Sequence, residues 1–364
     1  MLERSTSSDQ QAVPRTFKHV PELDGMRAIA VSIVFIGHAQ ILPSFPSGFG
    51  VTIFFFLSGY LITSLMRVEF ARNGRVDLKA FYIRRFLRIN PPLWISMIAM
   101  GSMVALGVLK VELTWYDILS QALFFANYMP DFAQRTGLPS PLWSLAVEEH
   151  FYLAFPLLFG LMARRFEPRK IALICAVMCM AVLLIRMFNI AILDIAYSNY
   201  YWTHTRIDSI LFGSVLALWS NPLLDEPDEC IEVGFWHLAA AGLAVLVSFV
   251  IKFDAFEYGF KYTVQGIALF FVFAFILQGR SPLIAPLRWK AVQLVGLYSY
   301  TIYLIHYAFI IAVKQGAPDA PAIVRAVIAA ALSLAFAYVM YRLVESPMAA
   351  IRKRMNARAG ASHG

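Results

Sequence analysis

Three cysteines in 364 residues are too few for a disulfide framework, and their placement excludes a zinc spacing as well. Cys175 and Cys179 stand one turn apart in an apolar run, and Cys230 lies in a polar stretch. Charge is also scarce, since 15% of residues are Asp, Glu, Lys or Arg, against about 25% in an ordinary soluble domain. There is no Gly-rich phosphate loop, no G-x-S-x-G elbow and no H-E-x-x-H pair. Those absences remove P-loop nucleotide chemistry, the α/β-hydrolase nucleophile and the common zinc-protease helix, and no metal site is expected. No internal repeat is visible. A removable signal peptide is not expected either: residues 1–22 are polar and mixed in charge, and the apolar run that follows is long enough to stay as an anchor.

Apolar sequence fills the remaining space. Hydrophobic residues make up 59% of the chain and the mean hydropathy is positive, which describes a polytopic membrane protein. The expected fold is all-α. It comprises a cytoplasmic N-terminal segment over 1–22, one transmembrane domain over 23–346 and a basic cytoplasmic tail over 347–364. Apolar stretches of about 20 residues are needed to cross the hydrocarbon as helices. Ten are assigned, over 27–43, 49–66, 89–109, 142–162, 170–190, 207–220, 234–251, 260–278, 291–313 and 322–342. The aromatic segment "TWYDILSQALFFANYMP" at 114–130 is read as interfacial or re-entrant.

A net charge of +8 raises the question of nucleic acid, but its distribution answers it. Four Lys or Arg precede residue 28, seven fall in 67–88, four in 164–170, three in 280–290 and five from 342 onward. These segments share one side if the N-terminus is inside, so the charge marks topology, with both termini cytoplasmic. The acidic stretch "NPLLDEPDECIE" at 221–232 dissents, and acidic residues weigh little in that rule.

Costly polar residues inside apolar spans point to function, because a titratable side chain in a bilayer is disfavoured without a partner, a wet cavity or a task. In "LDGMRAIAVSIVFIGHAQ" at 23–40, Arg27 and His38 are eleven positions apart, on one helix face and about 16 Å apart along the axis. With Arg27 at the cytoplasmic headgroups, His38 is expected near mid-membrane. "FYIRRFLRINPP" at 81–92 places Arg84, Arg85 and Arg88 within about one turn, a grip for phosphates as well as an anchor, before two prolines expected to bend or restart the helix. "PLWSLAVEEHFYLAFP" at 141–156 carries Glu148, Glu149 and His150 past the first turn of its span, beside Trp143 and Ser144. A carboxylate facing His38 would hold its tautomer and stabilise the imidazolium. Arg206 and Asp208 are expected to pair, His306 lies well inside the ninth span, and Glu345 in "YRLVESP" caps or pairs near the inner surface.

Seven segments in order also resemble the acyltransferase 3 family of integral membrane acyltransferases: "LDGMRAIAVSIVFIGH", "FFFLSGYLI" at 54–62, "RRFLRINPP", "PLWSLAVEEHFYL", "RIDSILFG", "GLYSYTIYLIH" and the terminal "ESP". The resemblance covers nearly the whole chain. It implies a ten-helix domain that takes an acyl group from cytoplasmic acyl-coenzyme A, a co-substrate and not a resident cofactor, and places it on a hydroxyl of a sugar or other acceptor. By position it points to His38 as the catalytic residue, to Arg27 beside it and to the Arg85-x-x-Arg88 pair as donor contacts. Some relatives carry an esterase-like domain after an extra helix. This chain stops about 20 residues past the tenth span, so that domain is not expected.

The chemistry suits the residues. A thioester is already activated, so the protein must orient it and remove a proton from the attacking hydroxyl, which neutral imidazole does near physiological pH. Without a nucleophile motif, direct transfer is favoured over an acyl-enzyme, although Ser58 in "LSGY" remains a candidate. The expectation is therefore an O-acyltransferase, for acetyl above other groups, in a bacterial inner membrane and acting on an envelope or exported glycan. His38 and Glu148 are the catalytic candidates, and Arg27, Arg84, Arg85 and Arg88 bind the donor. Asp24, Ser58, Trp143, Glu149, Arg206, Asp208 and His306 form an acceptor or supporting polar site. The alternatives are a small-molecule or lipid-linked sugar acceptor, or a proton-coupled transporter.

Overall fold

The computed structural model describes residues 19–129, 141–279 and 281–361, with side chains to residue 355. All regular structure among them is helical. Twelve α-helices follow one another: α1 Pro21–His38, α2 Ser47–Asn73, α3 Leu78–Ala105, α4 Trp115–Ala122, α5 Leu142–Met162, α6 Pro168–Ala191, α7 Thr203–Trp219, α8 Phe235–Val250, α9 Lys261–Gln278, α10 Lys290–Gly316, α11 Ala322–Met340 and α12 Ser346–Ala361. π-turns at Ala255–Phe260 and Tyr341–Glu345 lead into α9 and join α11 to α12. Six of these helical stretches are long and apolar enough to cross a membrane by length and composition. Helices α1 and α3 carry more charge, and α7 and α8 are shorter.

Boundaries move in ways the sequence chemistry explains. Helix α1 starts at Pro21, where a missing N–H costs nothing in a first turn, and stops at His38. His38 is therefore the last residue of its helix, five residues short of the expected span end. Helix α3 begins eleven residues before the expected span, capped by the Asp77 side chain accepting from the Ala80 amide, and runs through Pro91 and Pro92 without restarting. The arginine cluster accordingly lies inside a helix wall. In 114–129, the Thr114 and Asp117 capping box starts the eight-residue α4, and a 3₁₀ turn follows at Ala126–Tyr128, too short to cross as a helix.

Helices α2 and α7 pack most closely. A Cβ at Gly59 would collide with the Ile210 carbonyl oxygen, and one at Gly213 with that of Phe56, so the backbones approach where no side chain fits. Helices α1 and α10 run parallel: Gly296 abuts Asp24 near their starts, and His38 meets His306 further along. Ion pairs of Glu22 with Arg288, Arg67 with Asp225 and Arg84 with Glu69 gather where α1 begins and α2 ends. Ile98, Leu153, Leu161, Val177, Leu184, Leu243 and Val250 are exposed around the bundle, the surface that lipid would cover.

Candidate active site

A cavity of about 100 Å³ opens between α1, α2, α3, α5 and α10. Arg27, Arg85, Arg88, Ser58, Ser144, Glu148, Tyr152, Tyr300 and Tyr303 supply its polar lining. Arg85 is held over the rings of Phe81 and Tyr152, at 5.5 and 5.3 Å, which orients its guanidinium without consuming its donors. Arg27 is paired with Asp24 one turn earlier, and Asp24 also accepts from His19 at 2.7 Å. Tyr152 donates to Glu148 at 2.8 Å and lies 3.0 Å from Ser58. Three guanidiniums against one lining carboxylate leave this space positive, a setting for an anion with several oxygens.

His38 belongs to a second cavity at the far end of α1. Its Nδ1 lies 2.9 Å from Nε2 of His306, and the two rings stack at 5.1 Å. His306 is fully buried, and its Nδ1 lies 3.0 Å from the carbonyl oxygens of both Ile302 and Tyr303. Facing two acceptors, that nitrogen carries the proton, so neutral His306 accepts through Nε2 and His38 donates from Nδ1. His38 Nε2 is left with a lone pair, the form a general base requires. Between the two cavities stands Tyr303, which lines the first, lies 6.0 Å from the His306 ring and bonds Ser144 and the Pro141 carbonyl. On α10, Tyr300, Tyr303 and His306 recur every three residues, so successive members are neighbours on the helix surface.

Several expectations are rearranged. The partner of the His38 ring is His306, while Glu148 lines the arginine cavity and bonds Tyr152. Arg84 pairs with Glu69 at 3.2 Å and does not line that cavity. Asp208 pairs with Arg186, not with Arg206. Arg206, fully buried, stacks 3.8 Å from the Tyr262 ring centroid and donates to Thr52, while its Nε and Nη1 find no hydrogen-bond partner among the described residues. Trp143 is buried against Phe55 and Tyr200. Glu149 is turned inward with Oε1 unbonded, His150 bonds Thr203, and Glu345 accepts from Thr301. Among the described residues no cluster of His, Cys, Asp or Glu is placed to hold a metal. Arg186 is visible in the sequence only as a lone charge in "VLLIRMFN", and nothing there separates Tyr152 and Tyr303 from many ordinary membrane aromatics.

An arginine-lined cavity and a partnered histidine thus stand within one bundle of apolar helices. The family described as an acyltransferase domain, acyltransferase 3, matches residues 20–342, and the chain belongs to it. The chain is 30% identical over 358 residues to O-acetyltransferase OatA of Staphylococcus aureus strain NCTC 8325 / PS 47, covering 93% of this chain and 58% of that protein. The same identity and coverage hold for OatA of Staphylococcus aureus strain COL. The chain thus spans under two thirds of the length of these relatives. No solved structure matches it.

Proposed function

We propose that this chain moves an acyl group, acetyl above others, from cytoplasmic acyl-coenzyme A to a hydroxyl of an envelope or exported glycan. The observation that carries the reading is the pairing of His38 Nδ1 with His306, which leaves the lone pair of His38 on Nε2. In the proposed step the acceptor oxygen attacks the thioester carbonyl while His38 Nε2 takes its proton. The carbon–sulfur bond then breaks and the imidazolium returns the proton to the departing thiolate. Arg85 and Arg88 grip donor phosphates, with Arg27 completing the positive wall. The thioester, at the end of the pantetheine arm, reaches toward His38, about 16 Å beyond Arg27 along α1. Glu148 acts at the donor end, steadying the arginines through charge and Tyr152. Relatives named O-acetyltransferase support acetyl as the group moved.

The topology proposed with it has α1 to α3 and α5 to α11 as ten spans of a bacterial inner membrane, both termini inside and α4 at the outer face. The clustering of Lys and Arg supports that sense. Labelled acetyl-coenzyme A supplied to sealed vesicles of either sidedness tests it. Label should enter a glycan only when donor meets the face bearing residue 75, and equal transfer from both faces, or none from either, refutes the reading.

A further inference from the structure

The cavity that holds His38 has a charge of its own. It measures about 140 Å³ and is lined by His38, Gln40, Tyr307, Lys314 and Arg325 together with aliphatic residues of α10 and α11. Among the described residues no carboxylate lines it, and Asp319, the acidic residue of the loop between those helices, stands outside it. We propose that this cavity selects an acceptor bearing negative charge, a carboxylate- or phosphate-substituted sugar, with Lys314 and Arg325 as the specificity-determining groups. The proposal rests on the acyl-transfer reading above and names its acceptor class.

Three observations carry it. Lys314, in the last turn of α10, suits the helix dipole, but Arg325 stands in the first turn of α11, where the dipole disfavours a cation. Its Nη1 donates to the Pro318 carbonyl, which aims the guanidinium, and among the described residues no carboxylate pairs with it. Both cations also lie at the end of the bundle opposite the arginine cluster, the face from which positive charge is depleted when it has no task there. Finally, the loop that follows His38 is held in an uncommon form. Gln40, a lining residue, adopts φ 54°, and the turn is tied by the amides of Ala39 and Gln40 donating to Phe35 and Gly37. Non-glycine residues kept in the left-handed region gather at ligand sites. The result is one base, one amide and two cations facing a space the size of part of a sugar ring.

The test is binding to the full chain in nanodiscs of zwitterionic lipid, comparing a uronic acid oligosaccharide with its carboxyl-reduced counterpart. The acidic member should bind at least tenfold more tightly. Lys314→Gln with Arg325→Gln should abolish that preference, and Lys314→Arg with Arg325→Lys should keep it. Equal binding of the two sugars, or a preference that survives the Gln pair, overturns the proposal. Repeating the comparison with phosphatidylglycerol in the nanodisc separates sources of negative charge: loss of the preference there assigns the cations to lipid headgroups and also overturns it. Coenzyme A binding on the same preparations reports on the donor reading independently. Its absence beside an intact sugar preference sinks acyl transfer while leaving the anionic selectivity standing.

Discussion

Arg186 reaches the Asp208 carboxylate at 2.8 Å, with both side chains wholly removed from solvent. Arg186 also donates to the Thr205 carbonyl and to Thr263, so α6, α7 and α9 meet at one guanidinium. Removing one member of a buried pair strands the other charge, at a cost of about 3–5 kcal/mol, while replacing both with apolar residues is often near neutral. Arg186→Met alone should therefore lower the unfolding midpoint in detergent sharply. Joining it with Asp208→Leu should recover more than half the loss, and simple addition of the two losses would show that the pair is not coupled.

The two histidines are expected to act as a unit. His38→Gln should lower acyl transfer per folded molecule by about 10² to 10⁴ while leaving coenzyme A binding intact. His306→Phe keeps the stack but removes the acceptor that orients His38, and misplacing a reacting group costs about 10²-fold in turnover with donor KM unchanged. The double variant should be no slower than His38→Gln alone. Near-normal turnover in the His38 variant would falsify the assignment, and a rise in donor KM in the His306 variant would mean that it acts elsewhere.

For the donor site, Arg85→Gln and Arg88→Gln should each weaken coenzyme A binding by about 1.5–3 kcal/mol, the range of hydrogen bonds to charged groups. Arg84→Gln, with its side chain engaged by Glu69, serves as the contrast and should change affinity little. Calorimetric titration in detergent separates the three. Unchanged affinity in the Arg85 and Arg88 variants would reduce those residues to membrane anchors.

Helix contact gives a stability prediction that does not depend on activity. Gly59→Ala or Gly213→Ala forces α2 and α7 apart and should cost at least about 1–3 kcal/mol, the usual range for overpacking. Gly101→Ala in α3 has open space around it and should be neutral or slightly stabilising. Equal thermal shifts for the three variants would contradict the close approach.

Much of the bundle was legible because apolar length and helical periodicity are local properties. Residues 142–162 form a helix with those bounds, and 170–190 lies within one turn of α6. Helix starts were less legible where polar residues belong to a helix wall. Leu78 to Arg88 is too charged for a hydropathy window, yet the Asp77 cap makes it continuous with the apolar part of α3. The polar candidates were found one at a time because each is costly in an apolar run. Their partners are not legible for Asp208 and His38, since Arg186 and His306 arrive from other helices.

The sequence by itself determined that this chain is a helical membrane protein and that Arg27 and His38 share one face of one helix, because each follows from transfer energies and from 3.6 residues per turn. Only the tertiary structure decided that His38 is oriented by His306, that Arg85 and Arg88 open into a cavity while Arg84 does not, and that Asp208 belongs to Arg186. Those outcomes depend on which helices stand side by side and at what height, set by close backbone approaches such as Gly59 against Ile210. A hydropathy pattern specifies that a helix is buried in the bilayer but carries no information about its neighbour, because lipid and a second apolar helix satisfy it equally well.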